Sequence, residues 1–149
     1  MTETEIRELK TEPEWRAAFP VMRQLRTHLD ADEFVSLVRG MRGDGYRLFA
    51  LAAEGDDAGD REVVALVGVG ISTNMYHGRH AWVYELVTDA DHRSKGYGGR
   101  LLSFVEEWAA KEGCERLALS SGLQRADAHR FYEERAEMDR ASYVFTKPL

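Results

Sequence analysis

Seven consecutive residues, Arg93-Ser94-Lys95-Gly96-Tyr97-Gly98-Gly99, carry the spacing Arg-x-x-Gly-x-Gly. They lie between an apolar run that ends near Val87 and an amphipathic stretch that starts at Gly98. A glycine-rich turn that opens into a helix leaves a row of backbone N–H groups without intrahelical partners, and such a row binds anions. The glycines let the backbone approach an anion with no Cβ in the way. Arg93 and Lys95 add positive charge. The chemistry suited to this turn is the capture of a phosphate or pyrophosphate. The spacing is neither the G-x-G-x-x-G of dinucleotide sites nor the G-x-x-x-x-G-K-[ST] of P-loops.

A second pattern is Ala128-His129-Arg130-Phe131-Tyr132, an Ala-x-x-Phe-Tyr sequence in a helical stretch. A third is the strand-like run Trp82-Val83-Tyr84-Glu85-Leu86-Val87-Thr88. Together, in this order and separation, the three resemble the GCN5-related N-acetyltransferases, the acyl-coenzyme A-dependent transferase superfamily. The resemblance extends over nearly the whole chain and is tightest from Trp82 to Tyr132. It implies a mixed, mostly antiparallel sheet flanked by helices, with acetyl-CoA as cosubstrate and a primary amine, on a small molecule or peptide, as acceptor. The turn formed by Arg93, Ser94, Lys95, Gly96, Tyr97, Gly98 and Gly99 would then hold the pyrophosphate. Backbone groups of Leu86, Val87 and Thr88 would pair with the pantetheine arm, and one N–H would stabilise the oxyanion.

The same resemblance makes Tyr132 the general acid. A phenol of pKa ~10 can protonate a leaving thiolate of pKa ~8.5 and is itself protonated at neutral pH. Phe131 reads as a core aromatic. An acceptor amine must lose a proton before it attacks, and Glu85 is the candidate base, directly or through water. Strict alternation puts Glu85 and Val83 on the face opposite Tyr84 and Leu86, so only one of Tyr84 and Glu85 should face the helices. Arg125 stands where the family often has Asn; it reads either as a phosphate contact or as a surface ion pair. The family often ends this helix Phe-Tyr-x-x-x-Gly-Phe, whereas this chain has Ala136 and Glu137 there. Arg26, His28 and Asp30 lie in the segment that lines the acceptor pocket in the family.

These residues need elements to position them. The expected order is a strand at 6–9; a helix from Thr11, with Pro20 as a kink or break; and a second helix capped by Asp30 that buries Phe34, Leu37, Val38 and Met41. Strands follow at 46–53, 63–71 and 81–88, with connections at 54–60 and 72–78. A strong helix covers 98–112 and closes at Gly113. A strand at 116–120, a helix at 124–135 and a strand at 141–146 complete an α+β layer. With 149 residues the chain reads as one N-acetyltransferase domain, 1–149.

Composition narrows the class. A net charge of -6 argues against nucleic acid, which needs a basic face, and is compatible with a cationic acceptor. Cys114 is the single cysteine, so no intrachain disulfide forms; it reads as a small packed residue rather than a nucleophile. His77 and His80 have no accompanying ligand cluster, and no metal is expected. No run approaches the ~20 apolar residues of a membrane span, and residues 1–10 are polar, so the expected location is cytoplasmic with no membrane partner. The resemblance also allows a homodimer. The competing reading is a non-catalytic acyl-CoA-binding or sensing module, which would keep the turn and lack turnover.

Overall fold

The computed structural model describes residues 4–54, 61–122 and 125–149. They form two compact units, divided between Ala118 and Leu119. The expected connection at 54–60 falls mostly outside the described residues, as does Gln124.

The first unit contains strands β1 (Thr4–Glu8), β2 (Arg47–Glu54), β3 (Arg61–Asn74) and β4 (Gly78–Thr88), of which β2 and β3 are continuous apolar runs buried on both faces. Each pairs antiparallel with the next. The connection expected at 72–78 shrinks to a tight hairpin turn, where Asn74 Oδ1 accepts the His77 N–H at 2.6 Å and Gly78 takes φ +70°. A fifth strand, β5 (Arg116–Leu119), lies beyond β4. The Glu115 N–H donates to Arg79 C=O, so β5 starts where β4 starts and runs parallel to it. The sheet is therefore mixed, in an α+β arrangement.

Two helices cover one face of the sheet. In α1 (Glu12–Met22) the Thr11 N–H and hydroxyl both donate to Glu14 Oε1. In α2 (Ala31–Gly43) Asp30 accepts the Glu33 N–H at 2.8 Å, while Glu33 accepts the Asp30 N–H. Both are capping boxes legible in sequence. Pro20 does not break α1, because the helix ends two residues later and little of its hydrogen-bond ladder is lost. Trp15, Ala18, Met22, Phe34 and Val38 pack on Leu48, Ala50, Leu66 and Val87. Leu37 departs from expectation: it is 48% exposed, because it borders an open cleft rather than the core.

The helix α3 (Tyr97–Lys111) buries Leu101, Leu102, Val105 and Ala109. Phe104 and Trp108 set their rings edge-on to Phe49, whose neighbours Leu48 and Ala50 face α1 and α2. Alternation along β2 thus puts α3 on the opposite face of the sheet. The helix closes at Gly113, φ +83°, where the Cys114 N–H reaches Ala109 C=O and the Gly113 N–H reaches Ala110 C=O. That is the Schellman pattern, and it explains the glycine.

One irregularity in the sheet matters most. Gly68 pairs with Glu85 and Val69 with Val83, so Tyr84 is an extra residue, a β-bulge. The bulge breaks alternation. Tyr84 lies over Gly70 and Glu85 over Gly68, and these two glycines share one face of β3. A Cβ on Gly68 would stand 2.1 Å from Tyr46 Oη and 2.2 Å from Glu85 Oε1. Gly68→Ala should therefore cost about 1–3 kcal/mol by overpacking. Urea denaturation will measure it, and an unchanged midpoint would mean that Tyr46 and Glu85 withdraw freely.

In the second unit α4 (Ala126–Arg130) continues into a π-helical turn, Phe131–Arg135. The strand expected at 141–146 is absent; the segment has no regular secondary structure and makes no sheet pairing among the described residues. An apolar run alone does not form a strand where no neighbouring edge pairs with it.

Candidate active site

The bulge brings three polar side chains to one place. Tyr46 precedes β2 and is buried; its hydroxyl donates to Glu85 Oε1 at 2.5 Å. The Tyr46 and Tyr84 rings meet edge-on at 5.5 Å. Arg26, just past α1, donates from Nη2 to Tyr84 C=O at 2.7 Å. A bulged residue loses its place in the ladder, and Arg26 supplies the missing partner. Burial pushes the Glu85 carboxyl above the ordinary carboxylate range, against the lowering effects of the Tyr46 hydrogen bond and the Arg26 charge. Burial, reinforced by the Glu85 charge, pushes the Tyr46 phenol well up, so it is a lasting donor.

Glu85 and Tyr46 form the floor of a cleft of about 210 Å³. Arg26 and His28 stand at its side, and Met22, Phe34, Leu37, Val38 and Met41 from the helices line the rest. Two of the three residues expected to line a pocket, Arg26 and His28, do so. Asp30 does not: its carboxylate is used as the cap of α2. The choice posed by strict alternation, Tyr84 or Glu85 toward the helices, does not arise, because the bulge turns both to that side.

Glu85 lies three residues before the end of β4. From there the chain passes through a 3₁₀ turn, Ala90–His92, into the glycine-rich segment. Asp89 organises this passage. Its N–H donates to Val64 C=O, and its carboxylate accepts from Gln24 Nε2 at 2.6 Å, from the Asp91 N–H and from His92 Nδ1. Gln24 also accepts the Ala90 N–H at 2.8 Å. These bonds, Gln24 first and His92 next, hold the Asp89 carboxyl below its usual range.

Ser94 takes φ +66° and Gly96 φ +80°. Gly96 is the N-cap of α3, and no side chain caps it. The first helical bond runs from the Arg100 N–H to Gly96 C=O, so the N–H groups of Tyr97, Gly98 and Gly99 precede the helical ladder. Left-handed Gly96 followed by right-handed Tyr97 forms a concave nest of N–H groups suited to a phosphate. Arg93, Ser94 and Lys95 are exposed beside it, and Arg93 and Lys95 form no ion pair among the described residues. Tyr97 is buried instead and anchors the helix start.

Among the described residues, Leu86, Val87 and Thr88 pair with β3 on one side only. The four-residue β5 begins beside Arg79, at the far end of the eleven-residue β4, and does not reach them. In the second unit Tyr132 is half-buried, and burial raises its phenol above the usual range, against the Arg125 charge. The Ala136 N–H bonds Phe131 C=O across the π turn, and Glu137 takes φ +57°. The left-handed residue that ends this helix is thus a glutamate, one place after the position where the family has glycine.

Tyr46, Gly68, Gln24 and Asp89 were not singled out from the sequence. Only Asp89 had a local signal, an Asp two residues before a polar turn partner. Among the described residues no group of three or more His, Cys, Asp or Glu is placed to hold a metal, and no helix is long and apolar enough to cross a membrane.

Comparison with known proteins agrees with this geometry. A model of the acetyltransferase (GNAT) family matches residues 10–137. The chain is 38% identical over 145 residues to YhdJ of Bacillus subtilis (strain 168), an uncharacterized N-acetyltransferase, covering 97% of this chain and 98% of that one. It is 34% identical over 91 residues to the aminoalkylphosphonate N-acetyltransferase of Salmonella typhimurium, covering 59% and 57%. The solved structure of aminoglycoside N-acetyltransferase AAC(6')-Iy with CoA matches with TM-score 0.83 at 13% identity, over 99% of this chain and 96% of that one.

Proposed function

The chain belongs to the acetyltransferase (GNAT) family, and we propose that this N-acetyltransferase moves an acetyl group from acetyl-CoA to a primary amine by direct attack. The observation that carries the reading is the nest at Gly96 and Tyr97, opening α3 directly after the strand that bears Glu85. Its left-handed glycine and unladdered N–H groups fit a pyrophosphate, with Arg93 and Lys95 beside them. Acetyl-CoA, when bound, supplies the acetyl group as a reactive thioester. The free backbone edge at Leu86, Val87 and Thr88 receives the pantetheine arm, and one of its N–H groups donates to the developing oxyanion. Arg125 serves a coenzyme phosphate. The reading takes all 149 residues as one cytoplasmic enzyme domain.

The amine nitrogen forms a bond to the acetyl carbon, and the carbon–sulfur bond breaks. The proton leaving nitrogen passes to Glu85, directly or through water, and Tyr132 protonates the thiolate. Burial raises both groups, and this suits both roles. Glu85 becomes a stronger base than an ordinary carboxylate, and Tyr132 keeps its proton at neutral pH. The small amine-bearing substrates named for the Salmonella relative and the aminoglycoside enzyme support an amine on a small molecule.

Calorimetric titration with acetyl-CoA, followed by thiol release against amines, tests the whole reading. A micromolar Kd corresponds to about 8 kcal/mol. At Gly98 a Cβ meets Thr88 Oγ1 at an ordinary 3.5 Å; in Gly98→Leu affinity should fall at least about tenfold, with circular dichroism checking that the fold persists. Unchanged affinity would remove the turn from the coenzyme site. Glu85→Gln should lower kcat/KM by about 10²-fold or more. Loss of the base as Glu85 protonates gives wild type an acidic limb with its midpoint above 4.5, the ordinary value, and that limb should vanish in the variant. Tyr46 and Arg26 act on the same carboxylate, and His28 lines the same cleft, so the Glu85 profile is read against variants of these three. Tyr132→Phe should lower kcat by about 10²-fold or more and leave acetyl-CoA affinity intact; full activity would mean that water or another group protonates the thiolate.

A further inference from the structure

The cleft over Gly68 carries two opposite charges that face one space and do not pair. Glu85 and Arg26 interact electrostatically, yet they form no ion pair among the described residues. Each is instead oriented by a separate protein bond. Tyr46 fixes one carboxylate oxygen of Glu85, and Tyr84 C=O fixes one nitrogen of Arg26. The second carboxylate oxygen and the rest of the guanidinium fork remain for a ligand. The other walls are apolar: Met22, Leu29, Phe34, Leu37, Val38 and Met41. The volume, about 210 Å³, lies below the ~300–1,000 Å³ of drug-sized sites.

We propose that the acceptor is a small apolar α-amino acid, with its ammonium on Glu85, its carboxylate on Arg26 and its side chain between α1 and α2. This rests on the acetyltransferase reading and names its acceptor class. A zwitterion satisfies both charges with one small molecule. A monoamine leaves Arg26 facing an apolar body, and a polycation brings further positive charge against the guanidinium. Arg26 also closes the bulge, so a purely structural role for it must be distinguished from recognition of a carboxylate. Arginine is suited to both, because its planar fork can bond a backbone carbonyl and a ligand carboxylate at once.

The test uses L-leucine, L-methionine and L-phenylalanine, their decarboxylated amines, L-leucinamide and spermidine, with acetyl-CoA binding measured on the same protein. Hydrogen bonds to a charged partner correspond to about 10- to 100-fold in affinity. L-Leucine should therefore exceed L-leucinamide in kcat/KM by at least about tenfold, although the amide has the more easily deprotonated amine. Arg26→Gln should collapse the ratio of each amino acid to its amine, mainly through KM. The pKa difference between those two substrates is the same in both enzymes, so the change in ratio isolates Arg26. If Arg26 only supports the bulge, all acceptors fall together and the ratio stays, which overturns the proposal. Equal or better turnover of leucinamide, the simple amines or spermidine overturns it as well. So does acetyl-CoA binding without turnover of any amino acid, which leaves the coenzyme site standing. Absence of acetyl-CoA binding instead overturns the acetyltransferase reading beneath it.

Discussion

One inserted residue in β4 sets the arrangement of the first unit. In a regular strand Tyr84 and Glu85 would point to opposite faces. The bulge puts both over β3, and two glycines, Gly68 and Gly70, make the space they occupy. A half-buried carboxylate results, held by a phenol, beside a guanidinium recruited to a carbonyl that the bulge released. Without the extra residue either the carboxylate or the aromatic ring would leave the cleft. Bulges cluster near active sites because they re-aim side chains in this way.

Downstream of the bulge the chain must leave the sheet and enter a helix at a defined angle. Asp89 does this with hydrogen bonds to the backbone, Gln24 and His92, and so ties the strand end to the segment after α1. The cleft and the phosphate-suited turn therefore share supports: residues 24–26 hold Asp89 on one side and Tyr84 on the other. Displacing that segment would move both sites together. Such shared supports fix the spacing between the cleft and the turn.

The electrostatics follow from the same geometry. Burial destabilises the charged form of Glu85, while Tyr46 and Arg26 partly restore it. The outcome is a carboxylate of raised basicity in a largely apolar cleft, rather than one locked in an ion pair. Pairing with Arg26 would have lowered its basicity and closed the space between the two charges.

By itself the sequence determined the family, the order of most elements, both capping boxes, the Gly113 helix end and the glycine-rich turn. These are local signals: a cap, a Schellman glycine and an Arg-x-x-Gly-x-Gly run are read within a few residues. It also pointed to Glu85, Arg26 and His28, although alternation made the orientation of Glu85 ambiguous. Tertiary structure decided the rest. The bulge exists only in the pairing of β4 with β3, and no property of Tyr84 announces it. Tyr46 and Gly68 gain their roles from residues 39 and 17 positions away, across strands. Asp30 was diverted to a cap and Leu37 to a cleft rim by the packing of α2. The apolar run at 141–146 formed no strand, because a strand is a relation between two segments and a sequence pattern supplies only one of them.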